Sequence, residues 1–231
     1  MPKKRVNNAL HDSVRAVQEW NIDVRQFSIY LVGESREYDS NELPDEPGVE
    51  YQMSTRFIKN LRILADLDPV RPILVHMKTC GGWWGEGMAI YDAIKYAPNP
   101  TVILNYTHAR SMSSIILQAA DKRVMMPHGH FMLHDGTLAV RGTYKGVITN
   151  VEWAKKEHPV MLDIYASRMK EKGKFSKKPK EEIKTMLEKQ MNLKEDVFLT
   201  AQESVSWGLA DQIFDGNWQK LTKYVRRIAP K

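Results

Sequence analysis

Short, almost wholly apolar runs alternate along this chain with longer segments in which apolar residues recur every three or four positions. Runs of the first kind are typical of buried parallel strands, and segments of the second kind are typical of amphipathic helices. Their alternation predicts an α/β fold built on a largely parallel sheet. The predicted strands are residues 26–33, 72–77, 101–106, 123–126 and 130–134. The predicted helices between them are residues 55–67, 85–96 and 111–121.

Two segments near the start of the chain break this alternation. Residues 1–24 form a polar leader, in which Leu10, Val14 and Val17 indicate a short helix. Residues 33–52 are acidic, carry two prolines and lack periodicity, which predicts a long surface loop or flap. We therefore expect the sheet to begin at the strand between these two segments.

A long charged stretch with helical periodicity begins at Gly142. It extends to about residue 190 and is interrupted by a basic break at residues 173–179 that contains a glycine and a proline. We expect residues 142–190 to form a helical protrusion outside the core.

The closing segment carries clear local signals. Residues 197–199 predict a strand, and Thr200 followed by Glu203 is the pattern of a capping box that starts a short helix. Gly208 marks the end of that helix, and residues 211–214 predict a last strand. The sheet should therefore be completed by the end of the chain.

Length and charge add further constraints. A chain of 231 residues with 42% hydrophobic residues can bury one sizeable core, which favours a single domain. The formal charge of +6 comes mainly from residues 170–180 and 220–231. Such runs are more often solvated loops and tails than partner surfaces, so we do not predict nucleic-acid binding.

Cysteine usage and hydropathy bear on the compartment. Cys80 is the single cysteine, so no internal disulfide can form, and a cytoplasmic location fits. Residues 1–21 contain no apolar stretch of the kind found in export signals, and no segment has the uninterrupted apolar length of a membrane span. We expect neither export nor membrane insertion.

Three turns at predicted strand ends carry candidate chemistry. Gly81-Gly82 could present backbone amides to an anion or oxyanion, although paired glycines also form ordinary turns. Ser111 begins an apolar helix, where a serine is either an N-cap or a nucleophile, and Ser113 and Ser114 compete for the second role.

His134 ends the third of these strands. A histidine in this position is usually packed or hydrogen-bonded. Because His128, His130 and His134 are spaced to share a strand face, a metal site is an alternative. No cluster of carboxylates or cysteines accompanies them, so a metal site is disfavoured.

The order and spacing of these features resemble the proteolytic subunit of the Clp protease, a family of self-compartmentalising serine peptidases. The resemblance covers about residues 25–214, most of the chain. It is carried by five motifs, which are Ile29-Tyr30-Leu31-Val32-Gly33, Gly81-Gly82 with Gly87-Met88-Ala89-Ile90-Tyr91-Asp92, Ala109-Arg110-Ser111-Met112, Met132-Leu133-His134, and Asp196-Val197-Phe198-Leu199-Thr200-Ala201 with Gly208-Leu209-Ala210-Asp211.

Position by position, the resemblance implies that Ser111 is the nucleophile, His134 the general base and Asp196 the acid that orients it. It also implies that Gly81 and Met112 supply the oxyanion-hole amides. These roles are chemically coherent, because a serine hydroxyl is a weak nucleophile until a base takes its proton and the base needs a carboxylate to fix its tautomer.

The resemblance further implies a fold of repeated ββα units of the crotonase type with a protruding helical handle. In this description residues 25–141 and 191–216 form the head, residues 142–190 the handle and residues 217–231 a basic tail. Members assemble into rings, so we expect a heptamer or a stacked double heptamer that cuts unfolded polypeptides into short peptides. No G-x-x-x-x-G-K-[ST] motif occurs, so a separate hexameric AAA+ unfoldase would supply ATP hydrolysis, and no cofactor is needed.

The chain also departs from the family pattern. Thr107, Arg110 and Ser113 replace a glycine, an alanine and a glycine, and Cys80 replaces a proline and is interpreted as packed. Arg110 is the largest change, because it could reshape the substrate groove or place a cation beside the triad. Departures of this kind are typical of a phage-encoded or otherwise specialised member.

Several alternatives stay open at this point. Asp135 is an alternative acid, but adjacent residues on a strand point to opposite faces. A weakened or non-catalytic ring scaffold is motivated by Arg110 and Ser113. A prohead-maturation or signal-peptide-peptidase-like enzyme would use a Ser-Lys pair, and an acyl-CoA-binding crotonase relative would have no role for Ser111.

Overall fold

A computed structural model describes residues 8–33, 47–223 and 225 of the chain. The helices in this part are α1 (Asn8–Trp20), α2 (Tyr51–Leu67), α3 (Trp84–Lys95), α4 (Met112–Leu117), α5 (Tyr144–Glu171), α6 (Lys180–Lys194) and α7 (Ala201–Trp207). The strands are β1 (Ile22–Asp23), β2 (Ser28–Val32), β3 (Ile73–Thr79), β4 (Thr101–Arg110), β5 (Lys122–Met125), β6 (His130–Leu133), β7 (Val197–Thr200) and β8 (Gln212–Ile213). The predicted α/β class is therefore confirmed.

One mixed sheet organises the molecule, with strand order β1-β2-β3-β4-β5-β8. Strands β2, β3, β4, β5 and β8 of this order run parallel to one another. Strand β1 pairs antiparallel with β2 at the edge. Because parallel strands are covered on both faces, the first halves of β3 and β4 contain unbroken apolar runs, at residues 73–75 and 102–104, while their second halves carry polar residues toward the candidate site.

Strand β4 is longer than its predicted range, and along the edge away from β3 it pairs with two different strands. Its first half pairs with β5, and its second half pairs in parallel with β6, where His108 lies opposite His130. Strand β6 then pairs antiparallel with β7. The chain thus brings the ends of β3, β4, β6 and β7 to one region, which is where the candidate chemistry lies.

Part of the predicted surface loop is buried instead. Val49 is fully buried and forms a parallel bridge with Gly82, and α2 begins at Tyr51, four residues earlier than predicted. The Glu50 carboxylate caps this helix by accepting hydrogen bonds from two of its backbone N–H groups. The prediction of a surface loop is wrong for Val49, which is buried in a β-bridge, and for residues 51–52, which are helical, and residues 34–46 lie outside the described part.

The predicted protrusion also differs from the structure. The first half of α5 is largely exposed, but its second half packs into the main core. The buried apolar residues of α5 and α6 are Met161, Leu162, Tyr165, Ala166, Met169, Ile183, Leu187 and Met191. Residues 142–190 therefore protrude only as far as about residue 160, and the division into head and handle stays a prediction.

The closing segment forms as predicted. The capping box is present, with Thr200 Oγ1 accepting from Glu203 N and Glu203 Oε2 accepting from Thr200 N. The predicted basic tail begins differently, because a short 3₁₀ helix at Trp218–Lys220 leads to Leu221, which is buried against β5 and Phe214 on the second face of the sheet. Within the described residues no helix combines the length and apolarity needed to cross a membrane.

Candidate active site

The turn after β3 needs glycine for steric reasons. Gly81 has a φ of +100°, and a Cβ on it would lie 2.7 Å from Ser111 Cβ and 2.9 Å from Met112 N. Gly82 has a φ of +148°, and a Cβ there would overlap the backbone of Val49. The paired glycines therefore let the backbone pass directly beside Ser111, which an ordinary turn would not require.

Val49 fixes the other side of this turn. Its N–H donates to Gly81 O over 2.5 Å, and its carbonyl accepts from Trp83 N over 2.9 Å. These two bonds hold the backbone of the turn rigidly on the sheet. The sequence interpretation missed Val49, because its partner is 33 residues away and no local pattern marks the pair.

Ser111 lies between β4 and α4 in a strained conformation, with φ 51° and ψ −132°. It occupies the N-cap position, but its side chain makes no capping hydrogen bond. Its Oγ instead lies 2.9 Å from His134 Nε2, and its backbone N–H donates to Met132 O. The N-cap interpretation of the hydroxyl is therefore wrong, since the hydroxyl contacts an imidazole.

The hydroxyl groups of the neighbouring serines form hydrogen bonds to other groups. Ser113 Oγ accepts from Arg110 N over 3.0 Å and donates to Arg110 O over 2.7 Å. Ser114 Oγ donates to Ser111 O over 2.6 Å and lies 2.6 Å from the Tyr165 hydroxyl. Both side chains are completely buried. These contacts separate the three serines and favour Ser111 as the candidate nucleophile.

His134 and Asp196 meet because β6 and β7 are antiparallel. The register pairs Leu133 with Val197, so His134, which follows Leu133, lies opposite Asp196, which precedes Val197. His134 Nδ1 is 3.4 Å from Asp196 Oδ1, and the two side chains are 18% and 44% exposed. This separation places the two groups in electrostatic contact and is slightly longer than an ordinary N–H···O hydrogen bond.

A tight turn directs Asp196 toward the histidine. Glu195 has φ 59° and ψ −69°, and Asp196 N donates to Lys194 O over 2.7 Å, which together describe a γ-turn of the rare positive-φ kind. The turn ends α6 abruptly and starts β7 one residue later. Backbone strain at this position is thus coupled to the placement of the carboxylate.

Asp135 faces a different partner. Its Oδ1 lies 3.3 Å from His158 Nδ1 on α5, and the other ring nitrogen of His158 lies 3.8 Å from Glu188 Oε1 on α6. Both residues follow the end of β6, and their side chains point to different partners. The geometry favours Asp196 over Asp135 as the partner of His134.

The histidines considered for a metal site do not converge. His134 contacts Ser111 and Asp196, while the His130 ring packs 5.5 Å from the ring of His108 and 5.8 Å from that of Phe198. In residues 8–33, 47–223 and 225, no group of three or more His, Cys, Asp or Glu side chains could hold a metal ion.

Arg110 acts electrostatically on His130 of the neighbouring strand β6. The register places Arg110 beside Met132, and His108 beside His130. Burial lowers the pKa of His130 below its usual value, and the charges of His108 and Arg110 lower it further. The charge of Arg110, which replaces an alanine of the family pattern, therefore acts on a side chain of the neighbouring strand β6.

Comparisons of the sequence with known proteins point to one family. The sequence model of the family described as Clp protease matches residues 40–217 of this chain. The ATP-dependent Clp protease proteolytic subunit of Deinococcus radiodurans is 28% identical over 169 residues, covering 72% of this chain and 76% of that protein. The ATP-dependent Clp protease proteolytic subunit 2 of Treponema denticola is 29% identical over 168 residues, covering 71% of this chain and 77% of that protein. The predicted resemblance is confirmed, and this chain belongs to the Clp protease family.

Proposed function

We propose that the chain is a serine endopeptidase in which Ser111 is the nucleophile, His134 the general base and Asp196 the orienting acid. Membership of the Clp protease family implies a peptidase. The observation that carries the assignment of residues is the 2.9 Å contact between Ser111 Oγ and His134 Nε2. Ser111 makes this contact from a strained turn at the start of α4, where the residue is half-buried, and a serine paired with an imidazole on such a turn is the geometry expected of an activated nucleophile.

The reaction follows from these contacts. His134 Nε2 takes the hydroxyl proton while Ser111 Oγ forms a bond to the carbonyl carbon of the peptide, and the carbonyl oxygen becomes an oxyanion. The backbone N–H groups of Gly81 and Met112 receive this charge. His134 then gives its proton to the departing amine as the C–N bond breaks, and water repeats the sequence to release the acid and free Ser111.

Asp196 supports the imidazolium that forms during each step. It accepts from His134 Nδ1–H, which leaves Nε2 free to take the proton from Ser111. The present separation of 3.4 Å has to shorten by about half an ångström to reach hydrogen-bond distance. Such tightening on substrate binding is common, because catalytic hydrogen bonds are often long in the absence of substrate.

The substrate class and assembly belong to the same proposal. We propose that the chain works in a closed oligomeric ring, cleaves unfolded polypeptides into short peptides and receives them from a separate ATP-dependent unfoldase. The names of the two relatives, ATP-dependent Clp protease proteolytic subunits, support this proposal. An exposed apolar stripe on α5 supports self-association, because Tyr144, Ile148 and Val151 follow helical spacing on one side.

A fluorophosphonate probe tests the assignment of residues. The probe should label Ser111 in the wild-type protein, as mapped by peptide mass spectrometry, and His134→Ala should abolish labelling because the base is lost. Ser111→Ala is the matched negative control. Labelling at Ser113 or Ser114 would reassign the nucleophile, and no labelling at all would favour the ring scaffold without peptidase activity.

The assembly has its own measurement. Native mass spectrometry and sedimentation of the full chain should give a closed ring or a stacked pair of rings. A monomer at all concentrations would contradict the ring and leave the labelling result unaffected. A cytoplasmic location, expected from the single cysteine, stays a prediction.

A further inference from the structure

A buried hydrogen-bonded chain runs from helix α5 to the candidate nucleophile. Tyr165 is completely buried on α5, and its hydroxyl lies 2.6 Å from Ser114 Oγ. Ser114 Oγ lies 2.6 Å from the backbone carbonyl oxygen of Ser111. The three groups form one line from the core of the molecule to the turn that carries the nucleophile.

The direction of the protons along this line is fixed by chemistry. A carbonyl oxygen can only accept, so the single hydroxyl proton of Ser114 goes to Ser111 O. Ser114 Oγ can then only accept from Tyr165, which must be the donor. Burial raises the pKa of Tyr165 far above its usual value, so the phenol keeps the proton that it donates.

The last group of this hydrogen-bonded chain, the Ser111 carbonyl, is part of the peptide that supplies an amide to the proposed oxyanion hole. The carbonyl of Ser111 and the N–H of Met112 belong to the same peptide unit, which is planar. Fixing the carbonyl therefore fixes the direction in which Met112 N–H points. Hydrogen bonds accepted by the carbonyl also polarise the amide, so its N–H becomes a stronger donor.

Met112 is the first residue of α4, so its N–H has no acceptor within the helix. The same carbonyl of Ser111 also accepts from Ser114 N over 3.0 Å. The hydroxyl and the backbone N–H of Ser114 thus both bind the Ser111–Met112 peptide, and Ser111 has a positive φ. Strained backbone of this kind persists only where its surroundings hold it in place.

We propose that Tyr165 and Ser114 are positioning residues that orient and polarise the Met112 amide for the oxyanion of the reaction. This inference rests on the proposed function, because it assigns a supporting role to the oxyanion hole of that same site. It also gives the second half of α5 a part in catalysis, although that helix contributes no group to the reacting atoms.

Three variants separate positioning from folding. Ser114→Ala removes the hydroxyl bond to Ser111 O and keeps the backbone N–H bond of residue 114 to the same carbonyl. It also leaves the buried Tyr165 hydroxyl without its acceptor, so it destabilises the fold. Tyr165→Phe keeps the serine-to-carbonyl bond and removes only its polarisation. The double variant, Ser114→Ala with Tyr165→Phe, removes both hydroxyl groups. It should recover much of the stability lost in Ser114→Ala, because no buried hydroxyl is left unpaired.

The expected result is a dissociation of activity from stability. With a peptidyl aminocoumarin substrate, kcat should fall by about tenfold in Ser114→Ala and in the double variant, less in Tyr165→Phe, and KM should stay constant. Affinity for a peptide boronate, whose adduct places an oxygen in the oxyanion position, should fall in parallel with kcat/KM. The melting temperature should be lowest for Ser114→Ala and higher for the double variant.

Ser204→Ala is the matched control. Ser204 is also completely buried on a helix, and its hydroxyl donates to the carbonyl of Thr200 over 2.8 Å. It should lose stability without losing kcat. If kcat recovers with stability in the double variant, Tyr165 and Ser114 are only structural and the proposal is wrong. A wild-type protein that neither cleaves the substrate nor reacts with the fluorophosphonate overturns the proposed function together with this inference.

Discussion

The backbone of Ser111, with φ 51°, is held in a conformation that costs a residue with a side chain about 1–3 kcal/mol. The two serines that follow offset this cost with side-chain bonds to the backbone on either side. Ser113 binds the N–H and the C=O of Arg110, and Ser114 binds the C=O of Ser111. The polar character of this turn thus has a local explanation, because two of its three hydroxyls stabilise the placement of the third.

Arg110 permits a direct test at the residue scale. Its charge is one of the causes that lower the pKa of His130, after burial and His108. In Arg110→Ala, which restores the residue expected from the family pattern, the pKa of His130 should rise toward 6.5. An NMR titration of the imidazole resonances measures this change.

Arg110→Lys is the matched control for this titration. It keeps the charge, so the pKa of His130 should stay near the wild-type value. An unchanged pKa in Arg110→Ala would mean that the guanidinium does not act on His130.

Strands β2, β3 and β4 enclose a histidine that the proposed reaction does not use. His76 on β3 stacks on Tyr30 of β2 with ring centroids 4.5 Å apart, and its Nδ1 lies 2.9 Å from the Tyr106 hydroxyl of β4. Burial lowers the pKa of His76 from 6.5 to about 4, against a weaker opposing effect of Asp23. The ring is therefore neutral in the folded protein near pH 7.

The stability of the sheet should depend on pH through His76. Between pH 6.5 and about 4 the unfolded chain binds a proton that the folded chain does not, so the free energy of unfolding falls as the pH falls. A shift of this size corresponds to about 3 kcal/mol across the whole window. Urea unfolding at pH 7 and pH 5, at one fixed protein concentration, measures the loss.

His76→Gln should flatten this dependence, because glutamine does not titrate. His128→Gln is the control, since His128 is exposed and its removal takes one imidazole from the surface. Equal losses between pH 7 and pH 5 in the wild type and in His76→Gln would contradict the assignment of the pH dependence to His76.

Helix α5 links the site to the outside of the molecule. Its second half carries Tyr165 in the core, and its first half presents Tyr144, Ile148 and Val151, which are 81%, 39% and 37% exposed. An apolar stripe of this kind on a protruding helix is typical of a contact surface. The helix, which contains Pro159 between these two halves, thus joins the proposed assembly surface to the proposed catalytic site within one element.

Replacing the stripe tests its role in the whole molecule. The triple variant Tyr144→Ser, Ile148→Ser and Val151→Ser should lower the native mass, because stacked rings would lose an apolar contact and separate. Sedimentation at several concentrations measures this change. Val70→Ser, which replaces a 76% exposed valine outside this helix, should keep the wild-type mass. An unchanged mass in the triple variant would exclude the stripe as an assembly surface.

The amino-acid sequence by itself determined the α/β class, most strands and helices, and the capping box at Thr200 and Glu203. These features depend on neighbouring residues, through the period of apolar side chains and the hydrogen bonds of helix ends. The family resemblance implied Ser111, His134 and Asp196 as a set, which stays a proposal. Local signals failed where distant segments decide, as for Val49, which is buried by its pairing with Gly82.

The tertiary structure alone decided which hydroxyl meets the imidazole, which carboxylate lies opposite it and how far α5 enters the core. Each of these depends on contacts between residues far apart in the chain, such as the β6–β7 register that sets His134 beside Asp196. The bond from Tyr165 to Ser114 joins residues 51 positions apart. No periodicity in the sequence encodes such a pair, because its geometry exists only once the sheet and the helices have packed together.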